Sequence, residues 1–411
     1  MECFNVSKLV SNMDKEKLDR INKNLSIIIP VLNDFEHMEI LLLSLSNQTI
    51  LPKEIIVVDS SENSTLQKLI NTFDINKIIR YYNIKKSYPG KSTNFGVKVS
   101  KGKWLGFLDS KTIPEKNWIE YYFNLIKKYN SDLIFGFTKF LSNSKFQKLI
   151  LSASYGNIPH ETFPGTIIKK DIYLNSGGLN ENVRAGYDIE WRNMIKKSKT
   201  KFFIPKKSYI TYSAFPKNIV EVIKKYIKYS FHTAKIDIQK NTKDLYLSLF
   251  IILTSLIIPK WNYIIGGWDL NPFFIPHITK IYLIVVISIF VGFQISNLLI
   301  NVKKASLFDK TIKLIIMFFI TLGVMNWNEI IANWMEDAIW YVPHITKIYL
   351  ILLILSSILF RGIYYPLKRQ VSHADLFPFN WIKIGMLGLV IDVVKAPGYL
   401  IGSLNSYFLK K

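Results

Sequence analysis

Short apolar runs alternate with stretches of helical period in the first part of the chain. The runs cover residues 25–30, 54–59, 78–82 and 103–109. Such alternation is typical of parallel strands joined by crossover helices. The sequence therefore predicts an α/β domain with a mixed, mostly parallel sheet and flanking helices.

Two aspartates, Asp59 and Asp109, each end one of these apolar runs. In open α/β sheets, ligands bind in the crevice at the carboxyl ends of the strands. The first strand is followed by Pro30-Val31-Leu32-Asn33 and not by a glycine-rich turn, which disfavours a nicotinamide or flavin enzyme. We therefore expect a nucleotide site of another kind at this edge. The alternative for Asp59 is a cap on a helix that begins near Ser64.

The sequence resembles the family 2 glycosyltransferases in four segments, which come in that family's order and near its usual spacing. The segments are LSIIIPVLNDFEHMEILLLSLSNQ, EIIVVDSSENST, PGKSTNFGVKVSKGKWLGFLDSKTIP and GGLNENVRAGYDIEW, so the likeness extends over about residues 25–212. It implies an inverting enzyme of the Rossmann-like GT-A fold that uses a nucleotide-diphosphate sugar.

The resemblance also implies which residues bind this donor. They are Pro30, Asn33, Asp59, Lys91, Asn94, Asp109 and Lys111. An acceptor aspartate at position 59 suits the N–H of a base or a ribose hydroxyl. Lys91 would act as a point charge on the diphosphate, although a solvated lysine at a helix start is an equally open interpretation.

The metal-binding motif of the family is altered in this chain. Most members carry Asp-x-Asp at the end of strand four, where this sequence has Asp109-Ser110-Lys111. A divalent cation, Mg or Mn, can still bind more weakly through Asp109, phosphates and water. Alternatively, the Lys111 ammonium itself neutralises part of the leaving-group charge. A histidine that many relatives use as a further metal ligand is replaced by Tyr212.

The catalytic base is implied by a Glu-Asp pair that the family usually continues as EDxEWxxR. Here the pair reads Tyr187-Asp188, and Met194 replaces the arginine. Asp188 keeps the position of the base, which deprotonates the acceptor hydroxyl. Glu190 and Trp191 are retained as acceptor-side residues. Asp188 also suits a helix N-terminus, because a helix is expected from here to Lys197.

The second half of the chain holds most of its apolar runs, at residues 245–258, 281–300, 314–325 and 348–360. The segments between them alternate in charge, with basic residues at 301–313 and 361–383 and only acidic charges at 328–344. The positive-inside rule then predicts four crossings with the catalytic domain in the cytoplasm. WNYIIGGW recurs as WNEIIANW, and PHITKIYLI occurs twice, so the crossings form two duplicated hairpins.

Charge and composition indicate which classes of partner the protein binds. The 411 residues carry a formal net charge of +23, for which anionic membrane lipid is the simplest partner. No nucleic-acid motif is present, and the single cysteine, Cys3, excludes an internal disulfide. The predicted regions are a polar N-terminal segment (1–24), the GT-A domain (25–215), a basic linker helix (216–244), a transmembrane region (245–365) and a C-terminal interfacial helix and tail (366–411).

The sequence thus predicts an integral membrane glycosyltransferase that moves a sugar to a lipid-linked (polyprenyl) or growing glycan acceptor. A catalytically silent relative that binds a sugar nucleotide or a partner enzyme is the alternative, because of the altered motif residues. A transporter is disfavoured, since the apolar runs contain few ionisable residues.

Overall fold

The computed structural model describes residues 21–62, 65–236 and 354–409, and short pieces at 257, 260–264, 272–276, 278, 322 and 326. The chain divides into two compact units, one formed by Met1–Ile238 with Ile358–Lys411 and the other by Gln239–Ser357. The predicted crossings and the second copy of the duplicated hairpin lie almost entirely outside the described residues.

The first unit is built on one mixed sheet. Its strands are β1 (Ile21–Val31), β2 (Leu51–Asp59), β3 (Ile79–Asn83), β4 (Trp104–Phe107), β5 (Thr112–Pro114), β6 (Leu133–Phe140), β7 (His160–Lys169), β8 (Phe202–Phe203) and β9 (Ile210–Tyr212). They lie in the order β3-β2-β1-β4-β7-β6-β9-β5, and β8 pairs with β6. The first four neighbours are parallel, whereas β7 runs antiparallel to both β4 and β6. The predicted α/β fold with a mixed sheet is confirmed.

Helices connect and flank these strands. They are α1 (Phe35–Ser46), α2 (Leu66–Ile70), α3 (Pro89–Val99), α4 (Trp118–Tyr129), α5 (Lys145–Ser154), α6 (Lys170–Asn175), α7 (Tyr187–Lys197), α8 (Ile219–Lys235), α9 (Trp261–Ile264), α10 (Tyr365–Lys368), α11 (His373–Leu376) and α12 (Asn380–Leu409). A 3-10 turn covers Asp74–Ile78 and a π-helical turn covers Phe360–Tyr364. The helix predicted to end at Lys197 is α7.

Both faces of the sheet are buried. Successive side chains of a strand point to opposite faces, so Ile27 and Ile29 join one core cluster while Ile28 joins the other. Trp118 of α4 packs in the first cluster and Trp191 of α7 in the second. Burial on both faces explains why β1 and β2 are apolar runs without alternation.

The C-terminal helix α12 belongs to the first unit and packs against α8. A Cβ atom on Gly402 would lie 2.4 Å from the backbone oxygen of Phe231, and one on Gly398 would lie 2.5 Å from that of Ile227. The two glycines are one helical turn apart and therefore face the same neighbour. Within the described residues, no helix combines the length and apolar character that a membrane crossing requires.

The first copy of the duplicated motif is partly described. The indole of Trp261 donates a hydrogen bond to the backbone oxygen of Phe273 at 2.9 Å. The amide of Asn262 pairs with the backbone of Ile275 through two hydrogen bonds, of 2.8 and 3.0 Å. Trp261 and Asn262, which recur in the second copy as Trp327 and Asn328, are thus joined to residues 273–275 by hydrogen bonds.

Candidate functional site

Asp59 lies fully buried at the end of β2, with 0% of its surface exposed. Its carboxylate accepts hydrogen bonds from the backbone N–H of Ser61 at 2.9 Å and from the hydroxyl of Tyr81 at 3.0 Å. These donors offset the cost of burying a charge. The cap position of α2 is Thr65, so the helix-cap interpretation of Asp59 is wrong.

The end of β1 lies beside Asp59. Pro30 pairs in register with Val58, and the backbone N–H of Asn33 donates to the hydroxyl of Ser61 at 2.7 Å. Asn33 has φ +50°, a left-handed conformation that asparagine adopts more readily than most residues. Its side chain is exposed at the sheet edge. The structure therefore brings Pro30, Asn33 and Asp59 together, as the sequence predicted.

Asp109 begins a tight turn at the end of β4. The hydroxyl of Thr112 accepts from the N–H of Asp109 at 3.1 Å and donates to its backbone oxygen at 2.6 Å. The hydroxyl of Ser110 lies 2.5 Å from a carboxylate oxygen of Asp34 and 3.2 Å from one of Asp109. Asp34 directly follows Asn33, so this contact joins the Asp109 turn to the β1 end.

Asp34 was not predicted from the sequence. Its second carboxylate oxygen contacts Nδ1 of His37 at 2.6 Å, on the first turns of α1. The sequence indicates Asp34 only by its position, because it is the first acidic residue after the strand that leads into the predicted pocket.

Asp188 lies in the first turn of α7, after Gly186, whose φ of +88° favours glycine. Burial raises the pKa of Asp188, and the negative charge of Asp109 raises it further, whereas Arg192 lowers it. Asp109 thus lies near enough to Asp188 for its charge to act on that carboxyl. A carboxylate whose pKa is raised is a better proton acceptor than an ordinary aspartate.

Tyrosines surround this pair of carboxylates. Burial raises the pKa of Tyr187 and of Tyr212 well above the usual value, and the charge of Asp109 adds to the effect on both. Burial likewise raises the pKa of Tyr229 on α8, with further contributions from Asp109 and Asp188. These hydroxyls therefore remain neutral at physiological pH.

For a divalent cation, the described part of the site offers two neighbouring carboxylates, Asp34 and Asp109, which both contact the hydroxyl of Ser110. Among the described residues, no group of three or more His, Cys, Asp or Glu side chains is arranged for a metal. The hydroxyl of Tyr212, at the expected histidine position, donates to the backbone oxygen of Ala214 at 3.1 Å. The predicted metal role of Asp109 gains no support here.

Asn94, for which a nucleotide contact was predicted, makes its hydrogen bonds to other residues of the protein. Its side-chain oxygen accepts from the Tyr173 hydroxyl at 2.7 Å and from the Leu179 N–H at 3.0 Å. Its side-chain nitrogen donates to the Leu179 oxygen at 2.8 Å and to Glu181 at 2.9 Å. All four hydrogen-bonding positions of the amide are therefore taken by protein, and the structure gives no support to a nucleotide contact.

The predicted acceptor-side residues also have protein partners. Trp191 is 1% exposed, and its indole N–H donates to the Ser176 hydroxyl at 2.8 Å. It belongs to the core, and the structure does not support an acceptor contact through its ring. Glu190 is half-buried and accepts from Asn180 at 3.1 Å. Lys91 is exposed in the first turn of α3, so both interpretations of it stay open.

The strand order and the carboxylates at the edge of β1, β2 and β4 are those of a mixed α/β sheet with a polar edge at its strand ends. The family model described as "Glycosyl transferase family 2" matches residues 26–179, and this part of the chain is similar to that family.

Known relatives match the same part of the chain. An uncharacterized glycosyltransferase of Rickettsia bellii is 30% identical over 190 residues, which are 44% of this chain and 27% of the relative. The poly(ribitol-phosphate) beta-N-acetylglucosaminyltransferase TarP of Staphylococcus aureus is 28% identical over 185 residues, 44% of this chain and 52% of TarP. The chain thus spans about a quarter and about half of these two proteins.

A solved structure is also similar. The crystal structure of S. aureus TarS 1–349 in complex with UDP-GlcNAc has 19% sequence identity and a TM-score of 0.38, and the match covers 47% of this chain and 60% of that one.

Proposed function

We propose that the protein is an inverting glycosyltransferase, which moves one sugar from a nucleotide-diphosphate donor to an acceptor hydroxyl. The observation that carries the proposal is the match of residues 26–179 to the family 2 model, and the burial of Asp59 at the carboxyl end of β2 supports it. The relatives named above are glycosyltransferases by name, and TarP is named for transfer of N-acetylglucosamine.

The roles follow from the positions of the side chains. Asp188 accepts the proton of the acceptor hydroxyl, and its raised pKa suits that task. Asp109 and Lys111 are assigned to the leaving diphosphate, because they occupy the position of the family's altered Asp-x-Asp motif. Pro30, Asn33 and Asp59 form the nucleoside end of the donor pocket, because the ends of β1 and β2 place them side by side.

The acceptor is proposed to be lipid-linked, with the catalytic domain on the cytoplasmic side of the membrane. The apolar runs and the alternating charges between them support this part of the proposal. The C-terminal helix α12 adds an exposed apolar face with helical spacing, composed of Ile382, Met386, Val390 and Val393. Lys383 is exposed beside it. An amphipathic face with basic neighbours suits a lipid surface.

A catalytically silent sugar-nucleotide binder is the second candidate. Tyr212 stands at the family's histidine position and bonds to backbone, and Met194 stands at its arginine position, 41% exposed. These replacements leave the nucleoside end of the site untouched, so binding without turnover is the outcome that would favour this candidate.

The test is a thermal-shift screen of nucleotide-diphosphate sugars on the detergent-solubilised full chain, with and without Mn²⁺, followed by measurement of nucleoside diphosphate release. A donor that raises the unfolding temperature and is turned over supports the glycosyltransferase. A donor that binds without release supports the silent binder. If no nucleotide sugar raises the unfolding temperature, both candidates fail.

A further inference from the structure

A surface groove of about 370 Å³ lies between α4 and the segment that joins β8 to β9. Ligand-binding clefts in proteins typically begin at about 300 Å³. The groove is lined from α4 by Tyr121, Asn124, Lys128 and Tyr129, and from the other side by Phe203 and Lys206. Positions 121, 124 and 128 recur every three or four residues, so they share one face of the helix. None of these residues belongs to the candidate site described above.

Stacked aromatic rings form the apolar part of this groove. The rings of Tyr129 and Phe203 stack with their centres 4.0 Å apart, and Tyr121 stacks on the buried Tyr209 at the same distance. Stacking holds the rings in place, yet 45% of the surface of Tyr129 is exposed. The face of a sugar ring carries C–H groups, which pack favourably against the negative face of an aromatic ring. The groove therefore offers a preformed surface for sugar rings.

The charged side chains that line the groove are lysines. Among the described residues, neither Lys128 nor Lys206 forms an ion pair with a carboxylate. The Nζ atom of Lys128 lies 5.5 Å from the centre of the Tyr129 ring, and that of the neighbouring Lys207 lies 5.1 Å from the centre of the Tyr209 ring. Ammonium groups that lie between aromatic rings and lack carboxylate partners favour a ligand that combines negative charge with ring faces.

The strand pair β5–β9 connects the groove to the candidate site. Thr112, whose hydroxyl closes the Asp109 turn, pairs in register with Tyr212. Three residues further along β5, the N–H of Glu115 donates to the backbone oxygen of Tyr209 at 2.8 Å. Three residues of extended chain cover about 10 Å. The distance between Tyr209 and the Asp109 turn is therefore one that a short oligosaccharide can span.

We propose that this groove binds a negatively charged glycan. The aromatic rings contact the faces of its sugars, and Lys128 and Lys206 pair with its phosphate, sulfate or carboxylate groups. This binding does not depend on catalysis. Its use in catalysis, to hold a growing acceptor chain close to the Asp109 turn, rests on the proposed function. Single-stranded nucleic acid also combines charge with rings, but the similarity of residues 26–179 to glycosyltransferases favours the glycan.

The test measures binding of dextran sulfate, uncharged dextran and a single-stranded oligonucleotide of similar length to the detergent-solubilised full chain. Calorimetry at physiological ionic strength compares wild type with two groove variants, Tyr129→Ala and the double variant Lys128→Ala/Lys206→Ala. Unfolding temperatures check that every variant folds.

Two matched controls lie on the other face of the sheet. Phe202→Ala removes an aromatic ring next to Phe203 in sequence, but Phe202 contacts Phe135 of the second core cluster. Lys98→Ala/Lys197→Ala removes the same charge as the double groove variant. Both of these lysines are exposed, on α3 and α7, which also pack in the second cluster.

We expect wild type to bind dextran sulfate and to bind uncharged dextran at least about tenfold more weakly. Lys128→Ala/Lys206→Ala should weaken dextran sulfate binding by about tenfold, and Tyr129→Ala should weaken it by about fivefold. Both controls should stay close to wild type. Release of nucleoside diphosphate in the absence of an acceptor should be the same in the groove variants as in wild type.

Equal affinities for dextran sulfate in the groove variants and their controls would overturn the proposal, because binding would then reflect only the net charge of the chain. Absence of dextran sulfate binding by wild type would also overturn it. Tighter, groove-dependent binding of the oligonucleotide would assign the groove to nucleic acid instead. If no nucleotide sugar binds but dextran sulfate binds in the groove, the proposed function falls and the glycan site stands.

Discussion

Replacing Asp188 by asparagine should separate catalysis from both donor binding and folding. The substitution preserves the size of the side chain and its place in the first turn of α7, but it removes the proton acceptor. General-base catalysis contributes about 10²- to 10⁴-fold to a rate, and kcat of Asp188→Asn should fall by that factor. Donor affinity should change little, since Asp188 is assigned to the acceptor side of the cavity.

The same substitution should not destabilise the protein at neutral pH. Burial is the largest cause of the raised pKa of Asp188, so the folded protein binds this proton more tightly than the unfolded chain does. The ionised carboxylate therefore costs stability above the folded-state pKa, and the cost disappears below the ordinary aspartate value. Asparagine carries no such cost. The unfolding temperature of Asp188→Asn should equal or exceed that of wild type at pH 7, and the difference should shrink as the pH falls.

Three measurements on one preparation test the role of Asp188: release of nucleoside diphosphate, donor affinity by calorimetry, and unfolding temperature at pH 7 and in mild acid. Asp171→Asn is the matched control, because Asp171 is an exposed carboxylate in the first turn of α6 and is not assigned to the site. Our reasoning fails if Asp188→Asn retains more than a tenth of wild-type kcat. It also fails if the variant unfolds at a clearly lower temperature at pH 7.

Three further predictions concern other residues. We expect the wild-type enzyme to turn over its donor in excess chelator and Lys111→Ala to have lost that activity, as measured by release of nucleoside diphosphate. Loss of wild-type turnover in chelator would instead assign the leaving-group charge to a metal. Asn94→Ala should lower the free energy of unfolding by about 3 kcal/mol, because it leaves buried groups around Leu179 unpaired; denaturant unfolding measures this, and a specific loss of nucleotide affinity without destabilisation would contradict it. Gly402→Leu should cost about 1–3 kcal/mol through overpacking against Phe231, and an unfolding curve identical to wild type would disprove the close contact of α8 and α12.

The central strands were predictable because their residues are apolar on both faces. β1 and β2 lie in the middle of the sheet, so they appear in the sequence as unbroken runs that end at Asp59 and near Asp109. β6 and β7 gave no such signal. Gly136 interrupts the apolar pattern of β6, and Pro164-Gly165 interrupts that of β7. The two strands approach closely at these residues, since a Cβ atom on Gly136 would lie 2.0 Å from the backbone oxygen of Pro164.

The site residues divide in the same way. Strand ends are fixed by the sheet, so Asp59 and Asp109 were placed correctly from sequence. The orientation of a helix is not encoded in a motif, and Trp191 therefore turned out to face the core.

The glycine contact between α12 and α8 bears on how this protein is handled in the laboratory. Removing an apolar C-terminal segment is a common way to improve expression, and α12 is such a segment. A cut ahead of Gly398 would take away the surface against which Ile227 and Phe231 rest. Loss of activity after such trimming would then report a change in the packing of α8, even though no residue assigned to the candidate site had been deleted.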